Sequence, residues 1–357
     1  MKFVHIADMH FDIPFTTIDR KGWGQQRRLE QRYVFKKIIE YIKDNNINYL
    51  FISGDLYEHE YVRQSTIEYI NDLFKQINNT KIFIAPGNHD PYLKNSYYNK
   101  FQWNDNVYIF TNEVGMYEEA EVDIYGYGFN DFYLNNSKIQ EIEIQNKEKI
   151  NILITHGDLD ASITENKGYN PIVSRDLSVL GFDYVALGHI HKTNWQKDEK
   201  IIYPGSTISL GFDELGNHGM IVGKIENNQK LSLEFIPMDP REFKEKELNI
   251  SEIRTIEELI EIINSIKIED KFLYKIILEG EKNFSFNIYD LYKYIAEENI
   301  IKIKDESKIK INLEEYSKEN NLKGIFIKEM LEKLQEHPEN REVIKKALSF
   351  GIEALED

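Results

Sequence analysis

The chain has 357 residues, of which 41% are apolar, 29% charged and 13% aromatic; this is too long for one ordinary core and too aromatic for a disordered chain, so about two globular domains are expected. There is no cysteine, which excludes disulfides, thiolate metal sites and cysteine nucleophiles and fits a reducing cytoplasm. The 44 basic residues against 61 acidic ones leave a net charge of −17, which argues against a protein that coats nucleic acid through its general field.

No stretch approaches the roughly 18 apolar residues of a membrane span, so no membrane association is expected. The opening Met1–Asp8 run is interrupted by His5 and Asp8, unlike a signal peptide. Phe3–Ile6 predicts a short buried strand. Arg27–Asp44 predicts a helix, Tyr49–Ile52 a strand, Gln64–Ile77 a helix and Ile82–Ala85 a strand, the alternation of βαβ units. Val122–Phe129, Gly219–Ile225 and Leu231–Ile236 have no helices between them and are expected to run antiparallel. Ile152–Ile154 and Tyr184–Leu187 are further buried strands. Pro237 and Pro240 bracket a boundary. Beyond it, Lys246–Ile250 (strand), Ile256–Ile266 (helix), Leu273–Glu279 (strand), Ile288–Ala296 (helix) and a strand pair across Ile300–Ile311 suggest a small α/β domain. Two helices complete the chain, Ile325–Glu336 and Asn340–Leu355, the second with Asn340 as its N-cap. The expected domains are therefore 1–238, 239–315 and a helical segment, 316–357.

The informative residues lie just past the strands. Phe3–Ile6 leads into Asp8-Met9-His10, Tyr49–Ile52 into Gly54-Asp55, and Ile82–Ala85 into Gly87-Asn88-His89-Asp90. Ile152–Ile154 leads into His156-Gly157, and Tyr184–Leu187 into Gly188-His189-Ile190-His191. Oxygen and imidazole donors thus recur beyond the C-terminal ends of strands, where open α/β sheets place their sites. Each piece alone is weak, since Gly-Asp is common in turns and a lone histidine is usually a hydrogen-bonded structural residue. Five in order, each behind an apolar run, are hard to obtain by accident. Without thiolates the set suits manganese, iron or zinc. It offers more groups than one ion needs, so two ions are expected, a pairing that activates water and neutralises phosphate oxygens. Such ions would also offset part of the −17 where a phosphate binds.

At these residues the sequence resembles the calcineurin-like metallophosphoesterase superfamily, over residues 1 to about 210. Within it the chain is similar to the SbcD-type DNA repair nucleases, through His5-Ile6-Ala7-Asp8-Met9-His10-Phe11-Asp12 and Tyr203-Pro204-Gly205-Ser206. The resemblance implies an α/β fold, a four-layer α-β-β-α sandwich with a small α/β capping domain and C-terminal helices. It implies that Asp8, His10 and His191 hold one ion, that Asn88, His156 and His189 hold the other, and that Asp55 bridges them. His89 would act on the phosphate as general acid or transition-state stabiliser, with Asp90 orienting its imidazole. Manganese is the first expectation for the metal. The branch often carries a second histidine three residues after the bridging aspartate; here that residue is Glu58, followed by His59. Either His59 takes that part through a shifted loop, or the chain belongs to a side branch.

Two basic features could touch DNA. One comprises Arg20, Lys21, Arg27, Arg28, Arg32, Lys36 and Lys37, with Arg28, Arg32 and Lys36 on one helix face. The other is the 301–311 hairpin, with Lys302, Lys304, Lys308 and Lys310 on one face. The hairpin reads more readily as an edge protected by lysines, and the helix reads equally as substrate contact or solvated face. His59, Arg28, Arg32 and Lys36 are the candidate substrate contacts. The first functional expectation is a dinuclear phosphodiesterase cleaving DNA by attack of metal-activated water, as nuclease subunit beside an SbcC-like coiled-coil ATPase, with a homodimer as a further partner. The alternatives are the same chemistry on small nucleotides or other phosphoesters, or a non-catalytic scaffold.

Overall fold

The computed structural model describes residues 1–18, 20–160, 168–226, 230–309 and 313–355. Two compact units partition the chain. One is Met1–Glu245, Ile268–Lys275 and Glu298–Lys302; the other is Lys246–Lys267, Ile276–Glu297 and Ile303–Asp357.

The first unit begins with β1 (Lys2–Ile6), α1 (Trp23–Asp44), β2 (Tyr49–Ile52), α2 (Gln64–Lys75), β3 (Lys81–Ile84), the single turn α3 (Tyr97–Lys100) and β4 (Val107–Ile109). It continues with β5 (Gly115–Glu118), β6 (Val122–Gly126), β7 (Ile150–His156), α4 (Ser174–Leu180), β8 (Tyr184–Gly188), β9 (Ile201–Ile202), β10 (Gly219–Ile225) and β11 (Leu231–Pro237). These strands form a six-stranded sheet, β11-β10-β1-β2-β3-β4, and a five-stranded sheet, β5-β6-β7-β8-β9. The parallel strands bury both faces, which is why they read as unbroken apolar runs. Phe3, Phe51 and Phe83 point inward and meet Ile124, Ile152, Ile154 and Tyr184 of the second sheet. Val4, Ile6, Leu50, Ile52, Ile82 and Ile84 point the other way, onto Val34, Phe35, Ile38, Ile67, Ile70 and Phe74 of α1 and α2. Leu153, Val185 and Leu187 of the second sheet bury against Leu177 of α4. Helix, sheet, sheet, helix is the four-layer order expected from the sequence.

A histidine sits inside the sandwich. His5 is fully buried, with Nδ1 2.8 Å from the Tyr184 hydroxyl and Nε2 3.0 Å from Ser53 Oγ. Ser53 donates its hydroxyl proton to the Ala186 carbonyl, so it accepts from His5 Nε2–H, and Tyr184 donates to Nδ1. Burial drives the ring's pKa down to about 3, and this neutral tautomer satisfies all the partners.

The structure corrects several expectations. β6 pairs antiparallel with β5 but parallel with β7, because the connection after β6 crosses the outer face of the sheet and buries Ile139 and Ile142 there. Beyond β11 come β12 (Glu242–Asn249), α5 (Ile256–Ser265), β13 (Phe272–Glu279), β14 (Glu281–Lys282), α6 (Ile288–Tyr294), β15 (Ile300–Asp305), β16 (Lys308–Ile309), α7 (Leu313–Tyr316), α8 (Leu322–Glu336) and α9 (Arg341–Glu353). β12, β13 and β15 form a three-stranded sheet in that order. The lysine hairpin does not form as expected: β16 pairs parallel with β14, apart from the sheet that holds β15, and Lys310 and Ile311 lie outside the described residues. Asn340 makes no side-chain cap to α9, whereas Thr255, Asn287 and Asn321 cap α5, α6 and α8. α8 and α9 pack on each other through Ile327, Met330, Leu348 and Ile352. Ile325 and Val343 stay 61% and 69% exposed, outside that face. No described helix is long and apolar enough to cross a membrane.

The basic run on α1 also divides. Arg27 is fully buried and bonds Glu30 at 2.7 Å, both oxygens of Asp239 at 2.9 and 2.8 Å, and the Ser209 carbonyl at 2.8 Å. It is a structural ion pair and contacts no substrate. Lys36 and Lys37 pair with Glu40 on the exposed face of the helix. Replacing Arg27 with methionine leaves Asp239 buried without its cation, while Glu30 keeps Arg241 at 2.7 Å; the loss costs about 3–5 kcal/mol. Chemical denaturation of the Arg27→Met variant measures that loss; a change near zero would contradict it.

Candidate metal centre

The loops after β1, β2, β3, β7 and β8 converge at the C-terminal ends of their strands. Backbone bonds stitch the loops together: Asp8 N–H donates to Gly54 O at 3.1 Å, and His10 N–H to Asp55 O at 2.8 Å. Asp8, His10, Asp55 and His189 all take positive φ, at 51°, 48°, 52° and 108°. Backbone in this region is strained for residues with a Cβ, and such strain gathers where a site is over-determined by its surroundings. Gly54, at φ 85°, is required twice over, since a Cβ there would run into the His156 ring.

Two groups of side chains meet at Asp55. On one side, His10 Nε2 lies 3.1 Å from His191 Nε2 and 3.7 Å from Asp55 Oδ2, and His191 Nε2 lies 3.9 Å from Asp8 Oδ1. On the other, His156 Nε2 lies 3.3 Å from Asp55 Oδ2 and 3.1 Å from Asn88 Oδ1. The Nδ1 atoms of these rings are all engaged elsewhere. His10 Nδ1 is 2.7 Å from Glu58 Oε1, His191 Nδ1 is bonded to Glu214, and His156 Nδ1 is 2.8 Å from the Ser53 carbonyl. Each of those partners can only accept, so each Nδ1 carries a proton and each Nε2, once its own proton is displaced, presents a lone pair. Three imidazole lone pairs, two buried carboxylates and an amide oxygen therefore face one another. That arrangement is repulsive unless cations lie between the acceptors, and nitrogen plus oxygen donors suit a divalent transition metal. The side chains fit divalent metal ions by their own chemistry.

The electrostatics agree. Burial opposes charge on His156, but Asp55 and Asp8 outweigh it and raise its pKa to about 9. His191 is likewise raised to about 9 by Glu214 and Asp8 against burial. Burial would raise the Asp55 carboxyl, yet His156 and His10 hold it well below its ordinary value. Protons and metal ions thus compete for the same cluster.

His189 stands beside the second group. Its ring is 5.2 Å from that of His156, its N–H donates to Asp8, and its Nε2 lies 3.3 Å from Asp158 Oδ1. Asp158 was not among the residues expected at the centre, nor was Glu214. Both sit in irregular loops whose short-range pattern carries no ligand signal.

His89 lies at the mouth, its side chain 45% exposed and its ring 4.8 Å from that of His10. The expected bond from Asp90 to this imidazole is absent. Asp90 is fully buried and accepts from Gly87 N–H, Asp55 N–H, Leu56 N–H and the Tyr98 hydroxyl, all within 3.0 Å. It braces the Asp55 loop against the Asn88 loop. Glu58 takes the place expected for Asp90, with Oε2 2.9 Å from His89 Nδ1 and Oε1 on His10. Burial would raise Glu58, but its hydrogen bonds to His10 and His89 hold it at about 2. His89 is raised to about 9, by Glu58 and Asp55 against burial. His59 does not join the ligands: its Nδ1 is buried without a partner, its ring meets Phe132, and its N–H donates to His89 O. Of the other candidate contacts, Arg32 pairs with Asp12 at 2.9 Å and Arg28 lines a groove beside it.

Because His156 and His191 hold protons below about pH 9, metal binding at about pH 7 should release close to two protons per chain. Calorimetry in buffers of different ionisation heat reads that number, which should fall toward zero as pH rises through about 9. Release that does not change with pH would contradict the geometry.

Comparison with known proteins places this arrangement. The calcineurin-like phosphoesterase family model matches residues 1–193. The D subunit of the SbcCD nuclease of Staphylococcus epidermidis is 28% identical over 302 residues, covering 74% of this chain and 76% of that protein. An uncharacterised metallophosphoesterase of Bacillus subtilis, YhaO, is 23% identical over 275 residues, covering 74% of this chain and 66% of that protein. Among solved structures, TT1561 of Thermus thermophilus gives a TM-score of 0.38 at 9% identity, covering 66% of this chain and 98% of that one. With its four-layer fold and its converging acceptors, the chain belongs to the calcineurin-like phosphoesterase family and is a metal-dependent phosphoesterase.

Proposed function

We propose that the protein is a nuclease, hydrolysing phosphodiester bonds of DNA with two divalent ions, manganese first among them, bound by Asp8, His10, Asp55, Asn88, His156, His189 and His191. The observation that carries the reading is the cluster of mutually facing acceptors with one half-exposed imidazole, His89, held by Glu58 at its mouth. Bound ions would supply an activated water and neutralise phosphate oxygens. The chain's own part is positional. Asp55 joins the two groups of ligands, and Asp90 holds the Asp55 loop at its station. Glu58 keeps the His89 ring turned so that Nε2 faces outward with its proton, which it donates to the leaving oxygen or to the charge building on phosphate. No serine or cysteine nucleophile is used, so water attacks directly.

Similarity to an SbcCD subunit supports DNA as substrate and an SbcC-like ATPase as partner, in DNA repair in the cytoplasm. In this reading residues 1–238 carry the chemistry, 239–315 cap it and 316–357 serve docking, with a homodimer as the working form. Exposed aromatic side chains near the centre also favour a nucleic acid: Phe132 meets the His59 ring, and Tyr133 meets Tyr169, which packs on His189. The −17 charge favours a second reading, hydrolysis of small phosphoesters, in which long polyanions are repelled. A scaffold without catalysis leaves the buried acceptors unexplained.

Metal-replete protein should therefore cleave single-stranded or duplex DNA as well as bis(p-nitrophenyl) phosphate; turnover of the small ester alone would select the second reading. His89→Ala should keep its metal and lose about 10²-fold or more in turnover. Loss of metal from His89→Ala would reverse the division of roles. Glu58→Gln removes the main group that raises His89, so the alkaline fall in rate should move from about pH 9 toward the ordinary histidine range.

A further inference from the structure

A groove of about 490 Å³ runs between α1 and the loop after Glu58, within the size range of ligand sites. Its wall includes Asp12, Arg28, Leu29, Arg32, Tyr61 and Arg63. Asp12 is the one carboxylate on that wall among the described residues, and its oxygens are already engaged. Oδ1 accepts from Arg32 at 2.9 Å; Oδ2 accepts from the Thr66 hydroxyl at 2.6 Å and from Arg63 N–H at 3.1 Å. The wall thus carries three arginines and one carboxylate, and of the three guanidiniums only that of Arg32 bonds Asp12. Neither the Arg28 nor the Arg63 side chain has an acidic partner among the described residues. Arg28 is partly buried, so its charge is held at the wall. Tyr61 and Leu29, 52% and 56% exposed, add a flat aromatic face and an apolar edge.

The groove adjoins the metal centre through the chain itself. Asp12 lies two residues past His10, and Tyr61 three past Glu58. Glu58 N–H donates to Phe11 O at 3.0 Å and Val62 N–H to Glu58 O at 2.8 Å, so both strips of wall are anchored to residues that hold His10 and His89. On a chain of net charge −17, a local excess of guanidinium beside a stacking surface suits one chemistry, a phosphate backbone carrying bases.

We propose that this groove is a subsite for a single nucleic-acid strand next to the cleavage site, with Arg28 and Arg63 on its phosphates and Tyr61 stacked on a base. It rests on the nuclease reading above and adds where the strand lies. Lys36 and Lys37, paired with Glu40, take no part.

The test is the salt dependence of binding of a labelled phosphorothioate single strand to the metal-replete protein, followed by anisotropy. Losing two phosphate contacts in Arg28→Gln/Arg63→Gln should flatten the slope of log K against log salt by about 1.4 and weaken low-salt binding about tenfold or more. Arg28→Lys/Arg63→Lys keeps the charges and should keep the slope, which guards against a glutamine pair that misfolds. Tyr61→Ala should weaken binding about tenfold with the slope unchanged. Lys75→Ala, which removes a charge at the far end of α2, should change neither. If the glutamine pair folds and keeps the wild-type slope, the groove is not the subsite. If wild type hydrolyses the small ester but binds no strand even at low salt, the nuclease reading fails first and the groove falls with it.

Discussion

The architecture depends on a cluster of acceptors forced to face one another at Asp55. His10 and His191 present lone pairs 3.1 Å apart, and His156 presents a third to Asp55 and Asn88. Left alone, such a cluster repels itself, and it binds protons with raised affinity for that reason. The rest of the fold holds it in place. Two sheets packed through an aromatic layer aim five strand ends at one point. Left-handed backbone at Asp8, His10 and Asp55 turns their side chains inward. Glu58, Glu214 and the Ser53 carbonyl pin the opposite nitrogens of the three rings. The strain and the repulsion are both offset once cations occupy the space between the acceptors.

Much of this was legible in the sequence, because parallel strands buried on both faces leave continuous apolar runs and ligand loops must lie past their C-terminal ends. Phe3–Ile6, Tyr49–Ile52 and Tyr184–Leu187 fall within or on observed strands, and the donors after them come together. The features that were not legible depend on partners distant in sequence. Asp90 and Glu58 both stand near His89, and only the packed loops show that Asp90 serves the backbone while Glu58 serves the ring. Arg27 looked like its basic neighbours until Asp239, far along the chain, was found beside it. The pairing of β16 with β14 could not be inferred, since two-residue strands leave no periodic trace. Ile325 and Val343 stay exposed because α8 and α9 bury only a small shared face, Ile327, Met330, Leu348 and Ile352.

The charge of the chain takes on a different meaning at this scale. A net −17 bars general adhesion to a polyanion, but the field near a site is set by the groups within about one Debye length. There the protein concentrates raised imidazoles, space for divalent cations and two guanidiniums without acidic partners among the described residues. Binding of a polyanion restricted to that patch would be local and salt-sensitive.

The central claim is that Asp55 is shared between two metal ions. Anomalous scattering from crystals equilibrated with manganese tests it most directly. Two peaks should flank Asp55, one against Asp8, His10 and His191 and the other against Asn88, His156 and His189. A single peak, or peaks away from Asp55, would contradict the account.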